Sequence, residues 1–175
     1  ALSTGFIKEE YPEGFKPRIP EGQDLIYLAA IAGIIDHNHN KRRRKITHQM
    51  TGTTVNFAKT RVVKIGSKKL RLEVNGASDN SYAVTILESE NTSKETLSLF
   101  SSWAPGEPVW VGKVNGRDVV IQIRPLLNGY QLSYRGITVP VHVFTSREAE
   151  LSQLMPVKTA ARSEEHTSEL QSRET

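Results

Sequence analysis

Two hydrophobic periods divide this chain. From Leu25 to Ile35 the residues are almost wholly apolar, with Leu25, Ile26, Leu28, Ile31, Ile34 and Ile35 interleaved by Ala29, Ala30, Ala32 and Gly33. That run leaves hardly any polar face around a helix, and a helix apolar all round has to be enclosed. Pro20, Glu21 and Asp24 stand in front of the run and KRRRK (Lys41 to Lys45) behind it. Acids at the start and cations at the end complement the helix dipole. The pattern predicts a helix over 21–42, about 33 Å long at 1.5 Å per residue. Such a rod can thread a small barrel or lie beneath a strongly curved sheet.

Beyond a polar stretch the period changes to two. In KLRLEV, Leu70, Leu72 and Val74 face one way and Lys69, Arg71 and Glu73 the other. The alternation recurs at Val119, Ile121 and Ile123, at Tyr130, Leu132 and Tyr134, and at Ile137, Val139, Val141 and Val143. These are half-buried antiparallel strands, since buried parallel strands read as continuous apolar runs. Strands are predicted at 60–65, 68–75, 81–88, 95–101, 108–114, 117–124, 129–134 and 137–145. Asn75-Gly76, Asn115-Gly116 and Asn128-Gly129 are expected to supply the positive backbone angles of tight hairpins. Pro140 cannot donate to a ladder, so it should sit at an edge, a bulge or a strand end. SREAELSQL (Ser146 to Leu154) reads as a short terminal helix capped by Ser146, and MPVKTAA after it as linker. Eight strands need something to fill their inner face, and the helix at 21–42 is the apolar element available. The fold class is therefore α+β, a long central helix surrounded by an eight-stranded antiparallel β-barrel; a sandwich is the alternative.

Composition narrows the chemistry more than it suggests any. The 175 residues are 37% hydrophobic and 24% charged, ordinary for a globular chain. With no cysteine there is no disulfide framework, thiol nucleophile or cysteine zinc site. The run at Leu25 to Ile35 is too short to span a hydrocarbon core, which needs about 20 apolar residues, and ALSTGFIKEE lacks the basic end and apolar core of a signal peptide. The net charge is +4, and the last fourteen residues hold two arginines against four glutamates, so without them the excess rises to +6. That excess favours acidic partners without choosing among nucleic acid, a phosphorylated cofactor and a protein surface.

Residues capable of chemistry are present, but nowhere in a catalytic pattern. His37, His39 and His48 cluster near the helix end; residues two apart on a helix point in different directions, so HNH makes a poor chelate and solvated histidines are expected. KRRRK suits a solvated helix terminus, a contact for a partner subunit or, less well, a nucleic-acid patch, since no stacking aromatic lies between Tyr27 and Phe57. Glu9, Glu10 and Glu13 beside Tyr11 read as a solvated surface. Trp103 and Trp110 flank the turn-rich APGEP and read as packing or interface residues. Asn91-Thr92-Ser93 matches a glycosylation acceptor, which an intracellular chain would not use. No Gly-rich phosphate loop or nucleophile elbow occurs.

Two strings carry a resemblance. TGFIKEEYPEGF (Thr4 to Phe15) resembles the closing stretch of the biotin carboxylase domain of biotin-dependent acyl-CoA carboxylases. From Pro20 to about Val157, the order of central helix, basic loop and eight strands ending in YRGITVPVHVFTSREAEL resembles the BT domain of the propionyl-CoA carboxylase alpha-subunit family. The resemblance implies that 1–19 end a biotin carboxylase domain, that 20–155 form the connecting domain, and that 156–161 lead to a biotinyl domain whose AMKM-type motif does not occur in this sequence. RSEEHTSELQS (Arg162 to Ser172) resembles translated sequencing adapter, and 162–175 are set aside as a disordered artefact, a natural disordered tail being the alternative.

The resemblance further implies a non-catalytic assembly role. The domain would join biotin carboxylase to a carboxyltransferase beta subunit in a hetero-oligomer, cytoplasmic in a bacterium or in the mitochondrial matrix of a eukaryote. Biotin, ATP and Mg or Mn would serve the parent enzyme, with no cofactor, metal, nucleic acid or membrane bound by this piece. The loop from about Asn40 to Ala58 would reach the partner, through Arg42, Arg43, Arg44, Lys45, Thr54, Val55, Asn56 and Phe57. Two further classes stay open. One is a hot-dog-like acyl-CoA thioesterase or dehydratase, with Asp24 or Asp36 as the acid/base and neither having a visible partner. The other is a nucleic-acid-binding β-barrel, which would show steep salt dependence.

Overall fold

The computed structural model describes residues 19–45, 58–77, 79–88 and 94–154. The apolar run forms α1 (Gly22–Arg44). Eight strands follow: β1 (Thr60–Ile65), β2 (Lys68–Gly76), β3 (Ser81–Glu88), β4 (Glu95–Phe100), β5 (Val109–Val114), β6 (Arg117–Leu126), β7 (Gly129–Tyr134) and β8 (Ile137–Phe144). A short helix, α2 (Ser146–Leu154), ends the described chain. Each strand pairs antiparallel with the next, and β8 pairs back onto β1, with Val63 opposite Val143, so the sheet closes into a barrel. Closure removes the sheet edges, whose unpaired N–H and C=O groups would otherwise invite association.

α1 supplies the core of that barrel. Leu28, Ala29, Ala30, Ile31, Ala32, Ile34 and Ile35 have no solvent exposure, and they pack in one cluster with Val63, Leu72, Val84, Leu97, Trp110, Ile121, Leu132 and Val141 of the strands. All inward positions expected from the alternation in KLRLEV and VVIQI are buried. Gly33 shows why the helix carries small residues: a Cβ there would lie 2.8 Å from a Leu72 methyl, inside van der Waals contact. Trp110 is fully enclosed, and among the described residues no acceptor meets its Nε1.

The turns depart from expectation in two of three places. Asn115-Gly116 is the tight hairpin expected, with φ of 48° and 80° and Val114 opposite Arg117. Asn75-Gly76 is no turn at all: both residues lie in β2, opposite Ala83 and Tyr82, and the bend comes later, at Asn80 with φ 63°. Gly76 instead makes room, since a Cβ there would stand 2.8 Å from His37 Nε2. At β6–β7 the turn residues are Leu127 and Asn128, with Leu126 opposite Gly129. A side chain on Gly129 would collide with the Val141 carbonyl. Arg135-Gly136, the two residues left between the expected strands 129–134 and 137–145, takes the Asn-Gly hairpin geometry without an asparagine, with φ of 49° and 78°.

Pro140 lies where the ladder to β1 stops. It faces Gln131 of β7, whereas pairing with β1 begins only at Val141, so its missing N–H costs no bond on that side. The cap of α2 is Thr145, one residue before the expected Ser146. Glu148 N–H donates to Thr145 Oγ1 at 3.2 Å and Thr145 N–H to Glu148 Oε2 at 2.7 Å, a reciprocal capping box. α2 then lies on the outside of β1, where Ala149 and the outward-pointing Val62 are both buried.

Candidate functional site

The end of α1 that carries the basic run opens onto one mouth of the barrel. There the helix stops being apolar: Asp36, Asn40 and Arg43 follow one another at spacings of four and three and so share a face. Arg61, near the start of β1, falls on the same strand face as Val63 and Ile65 and therefore points inward. Its Nε donates to Asp36 Oδ2 at 2.6 Å, and its Nη1 donates to the carbonyls of Thr60, at 2.9 Å, and Ala58. Asn40 Nδ2 donates to the same carboxylate oxygen at 2.8 Å, and Arg43 Nη1 donates to Asn40 Oδ1 at 3.3 Å. Side-chain exposure is 7% for Arg61 and 21% for Asp36, so this pair lies mostly out of water, and the hydrogen bonds are what make a desolvated pair tolerable. The network ties the last turns of α1 to the residues leading into β1.

His37 and His39 are half-buried and packed against aromatic rings rather than solvated. His39 stacks on Tyr130, with centroids 6.0 Å apart and planes at 17°, and meets Trp103 edge-on at 5.9 Å. His37 meets Tyr82 edge-on at 6.2 Å. Between them on the helix, Asn38 is buried and donates from Nδ2 to Tyr82 Oη at 3.0 Å. Burial lowers the pKa of both imidazoles, helped at His37 by Lys41 and at His39 by Arg43. Burial also raises the Tyr130 phenol to about 12, with the Asp36 charge adding to it.

A histidine pKa held below the ordinary 6.5 makes stability fall with acid. The unfolded chain takes up protons first as pH drops through about 6.5, while the folded chain does so only below its lower pKa. We expect the thermal midpoint to be flat above pH 7 and to decline from about pH 6.5 downward. The His37→Gln, His39→Gln double variant should flatten that decline; melting curves across pH 5 to 8 check it.

Beside the network, a groove of about 800 Å³ runs between α1, the β6–β7 turn and α2. Asp36, His39, Arg61, Trp103 and Tyr130 form its polar and aromatic side, and Ile123, Leu126, Leu127, Phe144 and Leu151 its apolar side. Trp103 is itself buried and packs in the core at the wall of this groove, its Nε1 donating to the Glu107 carbonyl at 3.0 Å, while Trp110 is fully enclosed. Among the described residues no group of three His, Asp or Glu side chains could hold a metal ion, and no helix is long and apolar enough to cross a membrane.

The sequence-derived site residues fall into two sets. Arg42, Arg43, Arg44 and Lys45 are exposed at the end of α1 beside the groove. Arg42 Nη1 donates to the Pro105 carbonyl at 3.2 Å. Thr54, Val55, Asn56 and Phe57 lie outside the described residues, as do His48, Glu9, Glu10, Glu13 and Asn91. The two helix acids do have partners, contrary to expectation. Asp36 is held by Arg61 and Asn40, and Asp24 lies 3.6 Å from the exposed Arg135 at the other mouth. A carboxylate whose oxygen already accepts from Arg61 and Asn40 is a poor general base.

Comparison with known proteins gives two results. Residues 28–158 match the family described as the propionyl-coenzyme A carboxylase BT domain. The propionyl-CoA carboxylase alpha chain of Ruegeria pomeroyi is 30% identical over 158 residues, which is 90% of this chain and 22% of that relative. The chain thus spans about a fifth of the relative's length.

Proposed function

Because this chain belongs to the propionyl-coenzyme A carboxylase BT-domain family, we propose that it is a non-catalytic assembly domain. In this reading residues 20–155 join the biotin carboxylase part of an alpha subunit, whose end is 1–19, to a carboxyltransferase beta subunit. Residues 156–161 lead on to a biotinyl domain. The whole enzyme would use ATP and bicarbonate to carboxylate biotin and would pass the carboxyl group to propionyl-CoA. This piece holds the geometry for that transfer and touches none of biotin, ATP or Mg.

The observation that carries the reading is how the barrel is used. Its interior is filled by α1, so the binding capacity of the fold lies at its rim, where Lys41 to Lys45 stand exposed on a helix end fixed by the Asp36–Arg61 pair. A cationic, rigidly held end suits an acidic partner surface. The proposed contact set is Arg42, Arg43, Arg44, Lys45, Thr54, Val55, Asn56 and Phe57.

The test reverses charge at the rim. In the full-length alpha chain, Arg42→Glu with Lys45→Glu should weaken binding to the carboxyltransferase subunit by about tenfold or more per site, with the melting temperature unchanged. Unaltered affinity, measured by interferometry at fixed ionic strength, would sink the assignment of this rim.

A further inference from the structure

One wall of the groove beside the basic helix end is the network that fixes α1 to β1, but its apolar side is unusual for an exposed surface. Leu126 ends β6, Leu127 stands in the turn that follows and Leu151 lies on α2, with exposures of 42%, 98% and 51%. A single exposed leucine is ordinary. Three of them around one concavity, floored by the stacked rings of His39 and Tyr130, make a contiguous apolar patch of the kind that marks a contact site. A space of about 800 Å³ lies within the range of sites that bury a ligand or several side chains.

Electrostatics decide what kind of segment fits. Of the carboxylates lining the groove, Asp36 is neutralised by Arg61, whereas Glu107 and Glu148 are exposed, accept only from the backbone N–H groups of Ala104 and Thr145, and keep their charge. On the same rim α1 ends in five consecutive exposed cations. The groove therefore presents an apolar trough whose positive border is confined to the end of α1, where five cations outnumber the two charged glutamates of the lining. Its complement is a peptide bearing a large apolar side chain with carboxylates close by in sequence.

We propose that this groove receives an apolar anchor side chain from an acidic segment of the carboxyltransferase subunit, with that segment's carboxylates paired to the Arg42 and Arg43 side. The inference rests on the assembly reading above and deepens it. The trough supplies buried area and the helix end supplies register, the division of labour between a desolvated anchor and a charged rim.

Leu127 is the probe, because at 98% exposure it can be replaced without disturbing the core. The full-length alpha chain carrying Leu127→p-benzoylphenylalanine is irradiated with the carboxyltransferase subunit, and the crosslinked peptides are identified. A crosslink to an acid-rich segment of that subunit is expected. Leu127→Asp should lower the affinity at least tenfold while the melting temperature stays put. A crosslink confined to the chain's own residues after 154, a crosslink to a second copy, or wild-type affinity in Leu127→Asp overturns the groove assignment and leaves the assembly reading standing. Failure of the unsubstituted chain to bind the subunit at all overturns both.

Discussion

Replacing Ile31 by alanine should cost about 4 kcal/mol of folding stability, near the top of the range for an aliphatic truncation in a core. Ile31 has no solvent exposure and sits midway along the part of α1 enclosed by the barrel. The cost of such a cavity depends on how far the surroundings can collapse into it. Here they have little freedom: the sheet is closed by the β1–β8 ladder, and the helix already approaches the wall so tightly that Gly33 has no room for a methyl group. For a domain of this size about 4 kcal/mol corresponds to a drop of roughly 12 to 16 °C in melting temperature. Urea denaturation of the variant checks it; a loss under about 1.5 kcal/mol would mean that the barrel relaxes around the helix or that the helix does not fill it.

The second large effect belongs to the pair at the mouth. Asp36→Asn leaves the Arg61 guanidinium, only 7% exposed, without its counterion, and Arg61→Met leaves the partly exposed Asp36 carboxylate. Breaking a fully buried pair from one side costs about 3 to 5 kcal/mol. With Asp36 partly in water and two carbonyls still accepting from Arg61, about 2 to 3 kcal/mol is expected for Asp36→Asn, and less for Arg61→Met. Replacing both, as Asp36→Leu with Arg61→Met, should recover most of the loss, because an apolar pair needs no counterion. A double-mutant cycle by chemical denaturation measures this; strictly additive losses would show that the two groups do not stabilise each other.

Much of the architecture is legible in the chain because its signals are local. An all-apolar helix flanked by acids and cations, followed by period-two strands, specifies what must be enclosed and what encloses it, and α1 and the eight strands stand within two residues of the expected bounds. The turns were harder for the same reason. Asn-Gly favours a hairpin, but cross-strand register decides whether the pair lies in the bend, and at Gly76 the need was space for His37. Arg135 adopts a left-handed backbone that its residue type does not announce.

The mouth was mostly hidden because it is assembled by contacts between distant segments. Asp36 and Arg61 are 25 residues apart, and His39 meets Trp103 and Tyr130 only once β5 to β7 have wrapped around. One signal was available. The parity of β1 puts Arg61 on the inward face with Val63 and Ile65, a charge that needs a buried counterion, and Asp36 is the acid near the far end of the enclosed helix. The cationic end itself was plain, whereas the leucines that shape the groove beside it come from a strand end, a turn and a helix that only the closed barrel brings together.

The central proposal is that this domain holds the two halves of a carboxylase together. Sedimentation velocity of the full-length alpha chain mixed with its carboxyltransferase subunit, beside the same chain lacking 20–155, tests it directly. The intact chain should sediment with the subunit as one complex, and the shortened chain should sediment apart from it while still hydrolysing ATP in the presence of free biotin and bicarbonate. A complex that survives the deletion would contradict the proposal.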